Sequence, residues 1–281
     1  MGREAGMTIA AAAKGMGKTY YTMHFIAQYV KDKIFNKVRG RKALIMDTNG
    51  EYTAQQLSKN NVSGLVIGNL AVQDVIKFAS PNHPIEARRI DMKSLSIKEK
   101  LDVTKYCLQN FTNGLIVLED INNYVLNITH MEEIVGTIIA ARHRGLDIII
   151  NYQSLRPIEP RIWQNANWIR MHHQLDNVAD IKGKVPNPEI LKIAQLIVNN
   201  RYATGDHRFY LFINQYESKI DGTFTEQEYE AACKQYLSIN KRELKEYMNM
   251  NGVGIDKAYQ GAVINLKKKY LAQPPQPNQP V

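Results

Sequence analysis

Ala12-Ala13-Lys14-Gly15-Met16-Gly17-Lys18-Thr19 is the stretch on which the fold turns. It fits G-x-x-x-x-G-K-[ST] at every position but the first, where Ala12 replaces Gly. An apolar run over residues 7–12 precedes it. From Lys18 a helical pattern follows, with Met23, Ile26, Val30 and Ile34 at three- and four-residue steps. Strand, glycine-rich loop and helix in that order make a phosphate cradle. Gly15 and Gly17 let backbone N–H groups curl inward without a clashing Cβ. The helix N-terminus adds its partial positive charge. Lys18 can reach the β- and γ-phosphates of a nucleotide, and Thr19 can hold Mg²⁺. Ala12 ends the strand, where a positive φ is not needed. The candidate ATP-binding residues are therefore Ala12, Ala13, Lys14, Gly15, Met16, Gly17, Lys18, Thr19 and the following Tyr20.

Hydrolysis needs an acidic strand end nearby. Gly114-Leu115-Ile116-Val117-Leu118-Glu119-Asp120 supplies one. One carboxylate is expected in the Mg²⁺ shell and one beside the attacking water. The usual order is Asp then Glu; here it is Glu then Asp. Either Glu119 reaches the metal and Asp120 the water, or Asp120 does both. Thr19, Glu119 and Asp120 are the candidate metal residues.

Strands are expected over residues 43–46, 65–67, 115–118, 148–151, 168–172 and 209–213, and residues 86–91 are ambiguous. Helices are expected over residues 97–109, opening with Ser96, and 131–142. The alternation implies a three-layer α/β domain with a mainly parallel sheet. From Thr225-Glu226-Gln227-Glu228 the composition stays helical to about residue 271, with a break at Asn251-Gly252-Val253-Gly254. Residues 273–281 are Pro- and Gln-rich, and read as a disordered tail. The expected division is a core over 1–220, a helical segment over 221–272 and the tail.

The 281 residues suggest one or two domains at about 150 residues each. An apolar fraction of 44% with 22% charged residues excludes a mainly disordered chain. No apolar stretch is long enough for a membrane span, and the N-terminus lacks a signal peptide's apolar region. A cytoplasmic location follows as an expectation. Cys107 and Cys233 lack zinc-finger spacing and read as buried thiols. His172 and His173 point to opposite faces of a strand, against a shared metal. With 36 basic and 27 acidic residues the net charge is +9, which suits a polyanionic partner such as nucleic acid.

Three further segments narrow the class. Asp47-Thr48-Asn49-Gly50-Glu51-Tyr52 resembles the D-P-H-G-E-Y segment of the HerA branch of the FtsK–HerA motor ATPases, matching at Asp47, Gly50, Glu51 and Tyr52. Residues 140–153 look like that superfamily's A-R-x-x-G followed by an apolar strand, which here ends at Tyr152-Gln153. Asn165-Ala166-Asn167-Trp168-Ile169-Arg170 is similar to the segment after it. The resemblance covers residues 6–215. It implies a RecA-like P-loop core and a ring-forming, commonly hexameric, ATP-driven DNA pump. The absence of an N-terminal barrel and of membrane segments favours a small viral or mobile-element packaging ATPase as the expectation, most of all one for a viral genome, with a capsid or portal protein as a further expected partner.

Under that resemblance Gln153 senses the γ-phosphate and Glu51 is a second carboxylate near the water. Arg142 and Arg144 stand at a helix end near a neighbouring subunit's site, where a guanidinium could stabilise spreading phosphoryl charge. Arg170 and Arg161 are further candidates for that role. Arg156, Arg161 and Lys182-Gly183-Lys184 are candidate DNA-gripping positions. Two other readings stand beside this one. One is a P-loop ATPase for phage assembly or extrusion, similar to zonula-occludens-toxin-like proteins. The other is a small-molecule kinase.

Overall fold

The computed structural model describes residues 5–32, 39–125 and 128–271. Lys33, Ile34, Lys37 and the 273–281 tail lie outside them. The strands are β1 (Met7–Ala11), β2 (Lys42–Asp47), β3 (Ile67–Asn69), β4 (Ala87–Asp91), β5 (Gly114–Leu118), β6 (Asp147–Tyr152), β7 (Trp168–His172), β8 (Tyr210–Asn214) and β9 (Lys219–Gly222). The helices are α1 (Lys18–Tyr29), α2 (Ala54–Lys59), α3 (Val75–Ala79), α4 (Ile97–Asn110), α5 (Ile128–Arg142), α6 (Pro160–Asn165), α7 (Pro188–Ala203), α8 (Glu226–Ile239), α9 (Lys241–Asn251) and α10 (Ile255–Tyr270).

All the strands join one sheet in the order β3-β4-β2-β5-β6-β1-β7-β8-β9. Pairing is parallel from β3 to β7 and antiparallel across β7–β8 and β8–β9. The central strands are buried on both faces, which is why they read as unbroken apolar runs. Their side chains alternate between two cores. Leu44, Met46, Ile116, Leu118, Ile148 and Ile150 face one side, against Leu108 of α4, Ile138 of α5 and Ile193 of α7. Ala43, Ile45, Leu115, Val117 and Ile149 face the other, against Met23 and Ile26 of α1 and Leu57 of α2. This is the expected three-layer α/β fold.

Local signals account for most element starts. Ser96 and Glu99 close a reciprocal cap on α4: the Ser96 N–H donates to Glu99 Oε2 at 2.7 Å and the Glu99 N–H to Ser96 Oγ at 3.3 Å. Several elements depart from the sequence reading, among them the short helices α2, α3 and α6, for which the sequence shows no apolar period. The short strand expected at 65–67 forms at Ile67–Asn69. Helix α7 and strand β9 were not expected at all.

The segment after Asp221 packs on the sheet's own core. Tyr229, Cys233 and Tyr236 of α8 are buried there with Val263, Leu266 and Tyr270 of α10. The Tyr229 hydroxyl donates to Leu266 O at 2.9 Å. Leu271 then pairs with Ile220 in a parallel bridge. A break at Asn240, besides the one at Gly252, divides the segment into three helices. Among the described residues no helix is long and apolar enough to cross a membrane. Cys107 and Cys233 are free and buried.

Candidate nucleotide-binding site

The glycine-rich loop leaves β1 and turns over the strand ends. The Ala12 N–H donates to Tyr152 O at 3.1 Å and the Ala13 N–H to His173 O at 2.9 Å, so the loop is tied to the ends of β6 and β7. Gly15 and Gly17 adopt φ of 84° and 83° in the left-handed region, where a Cβ is strained. Gly17 caps α1. Ala12 is buried and is not among the positive-φ residues, so the missing glycine is not needed there.

Six polar side chains converge beyond the loop. Lys18 Nζ pairs with Asp120 Oδ1 at 2.6 Å. The other Asp120 oxygen accepts from Asn49 Nδ2 at 2.9 Å and from Gln153 Nε2 at 2.8 Å. Burial pushes the Asp120 carboxyl up, but Lys18 and these donors outweigh it and hold the group below the usual carboxylate range. Asp120 adopts φ 42° and ψ 48°, an uncommon conformation for a residue other than glycine. It is this turn that brings its carboxylate to Lys18. The Thr19 hydroxyl donates to Glu51 Oε2 at 2.6 Å.

Asp47 explains the motif around Glu51. One carboxylate oxygen accepts the Glu51 N–H at 2.9 Å; the other accepts the Tyr52 N–H at 3.1 Å and Arg89 Nη1 at 2.6 Å. Gly50 supplies φ 72° between them. The turn is thereby fixed with Glu51 aimed at Thr19.

Glu119 is not brought to the cavity. It is only 1% exposed and lies beneath the site. Its Oε1 accepts from the Tyr52 hydroxyl and from Asn151 Nδ2, the latter at 2.6 Å. Burial pushes its pKa up to about 7 against the pull of Lys18. Of the two adjacent carboxylates, Asp120 lines the cavity and Glu119 does not.

The arginines are dispersed. Arg142 ends α5 and Arg144 lies in the turn after it, at the end of the sheet where the parallel strands begin, opposite the phosphate loop. Arg142 Nη1 donates to Asn165 O at 3.1 Å, and Arg144 Nη2 donates to Leu108 O. Neither reaches the cavity of its own chain. Arg170 is buried under α1, donating to Lys18 O at 3.1 Å and Thr22 Oγ1 at 2.7 Å. It is too enclosed to serve a neighbouring subunit and instead braces the loop's helix. Arg161 pairs with Glu159 on α6, at 3.4 Å. Arg156 and Lys184 do meet: Lys184 Nζ donates to Arg156 O at 3.3 Å.

The cavity measures about 610 Å³ and is lined by Lys14, Gly15, Lys18, Thr19, Tyr20, Glu51, Asp120 and Gln153. It is also lined by Gln56, Lys59, Asn60 and Arg208, none of which the sequence singled out. The first three belong to α2 or its end, which no apolar period announced. Arg208 comes from the turn before β8 and had no motif around it.

No protein-family model matches this chain, and no curated protein does. Solved structures share its fold. The genome packaging NTPase B204 from Sulfolobus turreted icosahedral virus 2, in complex with AMP, aligns at 15% identity and TM-score 0.52, over 80% of this chain and all (100%) of that one. B204, the DNA-packaging ATPase from Sulfolobus turreted icosahedral virus, aligns at 14% identity and TM-score 0.52, over 79% of this chain and 100% of that one. The N-terminal domain of zonular occludens toxin from Neisseria meningitidis is less similar, at 14% identity and TM-score 0.34, over 64% of this chain and 91% of that one. The fold is thus that of a P-loop NTPase core, shared with the viral packaging NTPases.

Proposed function

We propose that this chain hydrolyses ATP and uses the cycle to drive DNA through a ring of copies, for packaging a viral genome. The observation that carries the reading is the convergence of Lys18, Thr19, Glu51, Asp120 and Gln153 on one cavity at the strand ends. It stands on a fold shared with two viral packaging NTPases.

The residues present fit Mg²⁺. One hydroxyl and two carboxylates, from Thr19, Glu51 and Asp120, form a hard oxygen set. Among the described residues no group of three or more His, Cys, Asp or Glu side chains converges to hold a metal, so Mg²⁺ would take the rest of its shell from phosphates and water. Bound there, Mg²⁺ would neutralise charge on the β- and γ-phosphates.

In this reading ATP binding exchanges one ion pair for another. Lys18 leaves Asp120 for the phosphates, and the loop N–H groups close around them. Asp120 is then free to accept the proton of the attacking water as it adds to the γ-phosphorus and the bond to the β-phosphate oxygen breaks. Asn49 and Gln153 keep the carboxylate oriented. Arg142 is half-buried at the rim of a groove of about 260 Å³, and is the arginine offered to an adjoining copy. Arg156, Lys182 and Lys184 follow the ends of β6 and β7 and would meet DNA phosphates. In the same proposal a motor core over 1–220 carries a helical segment over 221–272 that shares its apolar interior.

The test is ATP hydrolysis by the full chain with and without double-stranded DNA, at low and high salt. Stimulation that fades with salt is expected, because phosphate contacts release counterions. Hydrolysis indifferent to DNA would exclude translocation. In the same assay an Arg142→Ala defect should be restored by mixing with Lys18→Ala subunits; failure to restore it removes the trans role.

A further inference from the structure

The cavity gives the phosphate chain a direction. Asp120, Gln153 and Asn49 follow the ends of β5, β6 and β2, which all lie on one side of β1 in the sheet. If ATP is the substrate, the γ-phosphate belongs on that side. The α-phosphate and nucleoside then leave toward β7 and β8, on the other side of β1.

Two side chains stand there. Tyr20 lies in the first turn of α1, and Arg208 lies just ahead of β8; both line the cavity. The Arg208 guanidinium carbon is 5.3 Å from the centroid of the Tyr20 ring. Its Cγ is 3.6 Å from where a Cβ on Gly17 would be, so the side chain passes close over the phosphate loop. The ring is braced from elsewhere: Tyr21 meets it edge-on at 4.9 Å and His24 tilts against it at 4.5 Å. Arg208 is exposed, and among the described residues its charge rests on that ring and not on a carboxylate.

We propose that Tyr20 and Arg208 form a stacking clamp for the nucleoside base. The purine enters between phenol and guanidinium. Two stacked layers of roughly 3.5 Å each need about 7 Å, so Arg208 has to lift by less than about 2 Å from its 5.3 Å position. No ion pair has to break for it to do so. The cation then lies over the base, which adds electrostatic attraction to the stacking. Such a clamp grips the π-face and not the base edge, so adenine and guanine should be held alike. The clamp rests on the proposed ATP-binding reading.

Calorimetric titration of the full chain with Mg–ATP, Mg–GTP and Mg–tripolyphosphate tests it. Tripolyphosphate carries the phosphates without a base. Tyr20→Leu should weaken ATP and GTP about tenfold and tripolyphosphate by less than about twofold. Arg208→Ala should show the same selectivity with a smaller loss, and Tyr20→Phe should bind as the parent does. Equal losses for ATP and tripolyphosphate would make these phosphate-binding or structural residues and overturn the clamp alone. Unchanged ATP affinity in either Tyr20→Leu or Arg208→Ala would also overturn it. A parent chain that binds neither ATP nor tripolyphosphate overturns the ATP reading and the clamp with it.

Discussion

Asp120 and Glu119 are adjacent in the chain and opposite in environment. Asp120 faces the cavity and pairs with Lys18 at 2.6 Å; Glu119 is sealed below, between Tyr52 and Asn151. General-base catalysis contributes roughly 10²–10⁴ in rate, so Asp120→Asn should lower ATP turnover at least about a hundredfold. Glu119→Gln keeps the shape and a partner for Tyr52, and should lower turnover by no more than about threefold, well short of the general-base range. Steady-state hydrolysis with saturating Mg–ATP decides between them, and a larger loss in Glu119→Gln would reverse the assignment. The sequence located both carboxylates at a strand end but could not orient them. The reason is local. Beyond Leu118 the strand pleat gives way to a left-handed residue, and no acidic side chain advertises that it will adopt φ 42°.

At the level of elements, the turn joining β2 to α2 is held from one point. Asp47 accepts two backbone N–H groups and the buried Arg89. Replacing it with alanine leaves Arg89 without its buried partner and releases the turn that aims Glu51 at Thr19. Breaking a buried pair costs about 3–5 kcal/mol. Asp47→Ala should therefore lose about 3 kcal/mol in urea unfolding and most of its ATP turnover. Wild-type stability would mean that Arg89 finds another partner. The motif containing Asp47 is legible through its resemblance to the HerA-branch segment, which it matches at Asp47, Gly50, Glu51 and Tyr52. Helix α7 was not read, although Asn187 caps it through the Ile190 N–H and Pro188 opens it. Its inward face carries Ile190, Ile193, Ala194 and Ile197 at helical spacing. The start signal is only two residues, Asn187-Pro188, directly after the loop around Lys182-Gly183-Lys184. Strand β9 has four residues with only Ile220 fully buried, too little alternation to announce a strand.

At the scale of the whole molecule, the change in composition after Asp221 marks a boundary in sequence but not in the core. The central strands were legible because burial on both faces demands continuous apolar runs. The coverage of the sheet by α8 and α10 was not, because amphipathic helices do not say which surface they cover. Here they cover this chain's own α7 and β9. Tyr229, Cys233, Tyr236, Val263, Leu266 and Tyr270 share one apolar interior with Ile193, Ile197 and Ile220. Full burial of one large apolar side chain contributes about 1.5–3 kcal/mol. The loss from removing several such residues is comparable with the roughly 5–15 kcal/mol by which a typical domain is stable. A chain ending at Gly222 should therefore fail to unfold cooperatively and should bind hydrophobic dye, while the full chain gives one thermal transition. Adding residues 223–271 as a separate chain should restore the transition and nucleotide binding if packing alone is at stake. A truncated chain that melts sharply at the parent temperature would instead make residues 221–272 an independent module and return the boundary near residue 220 to a structural one.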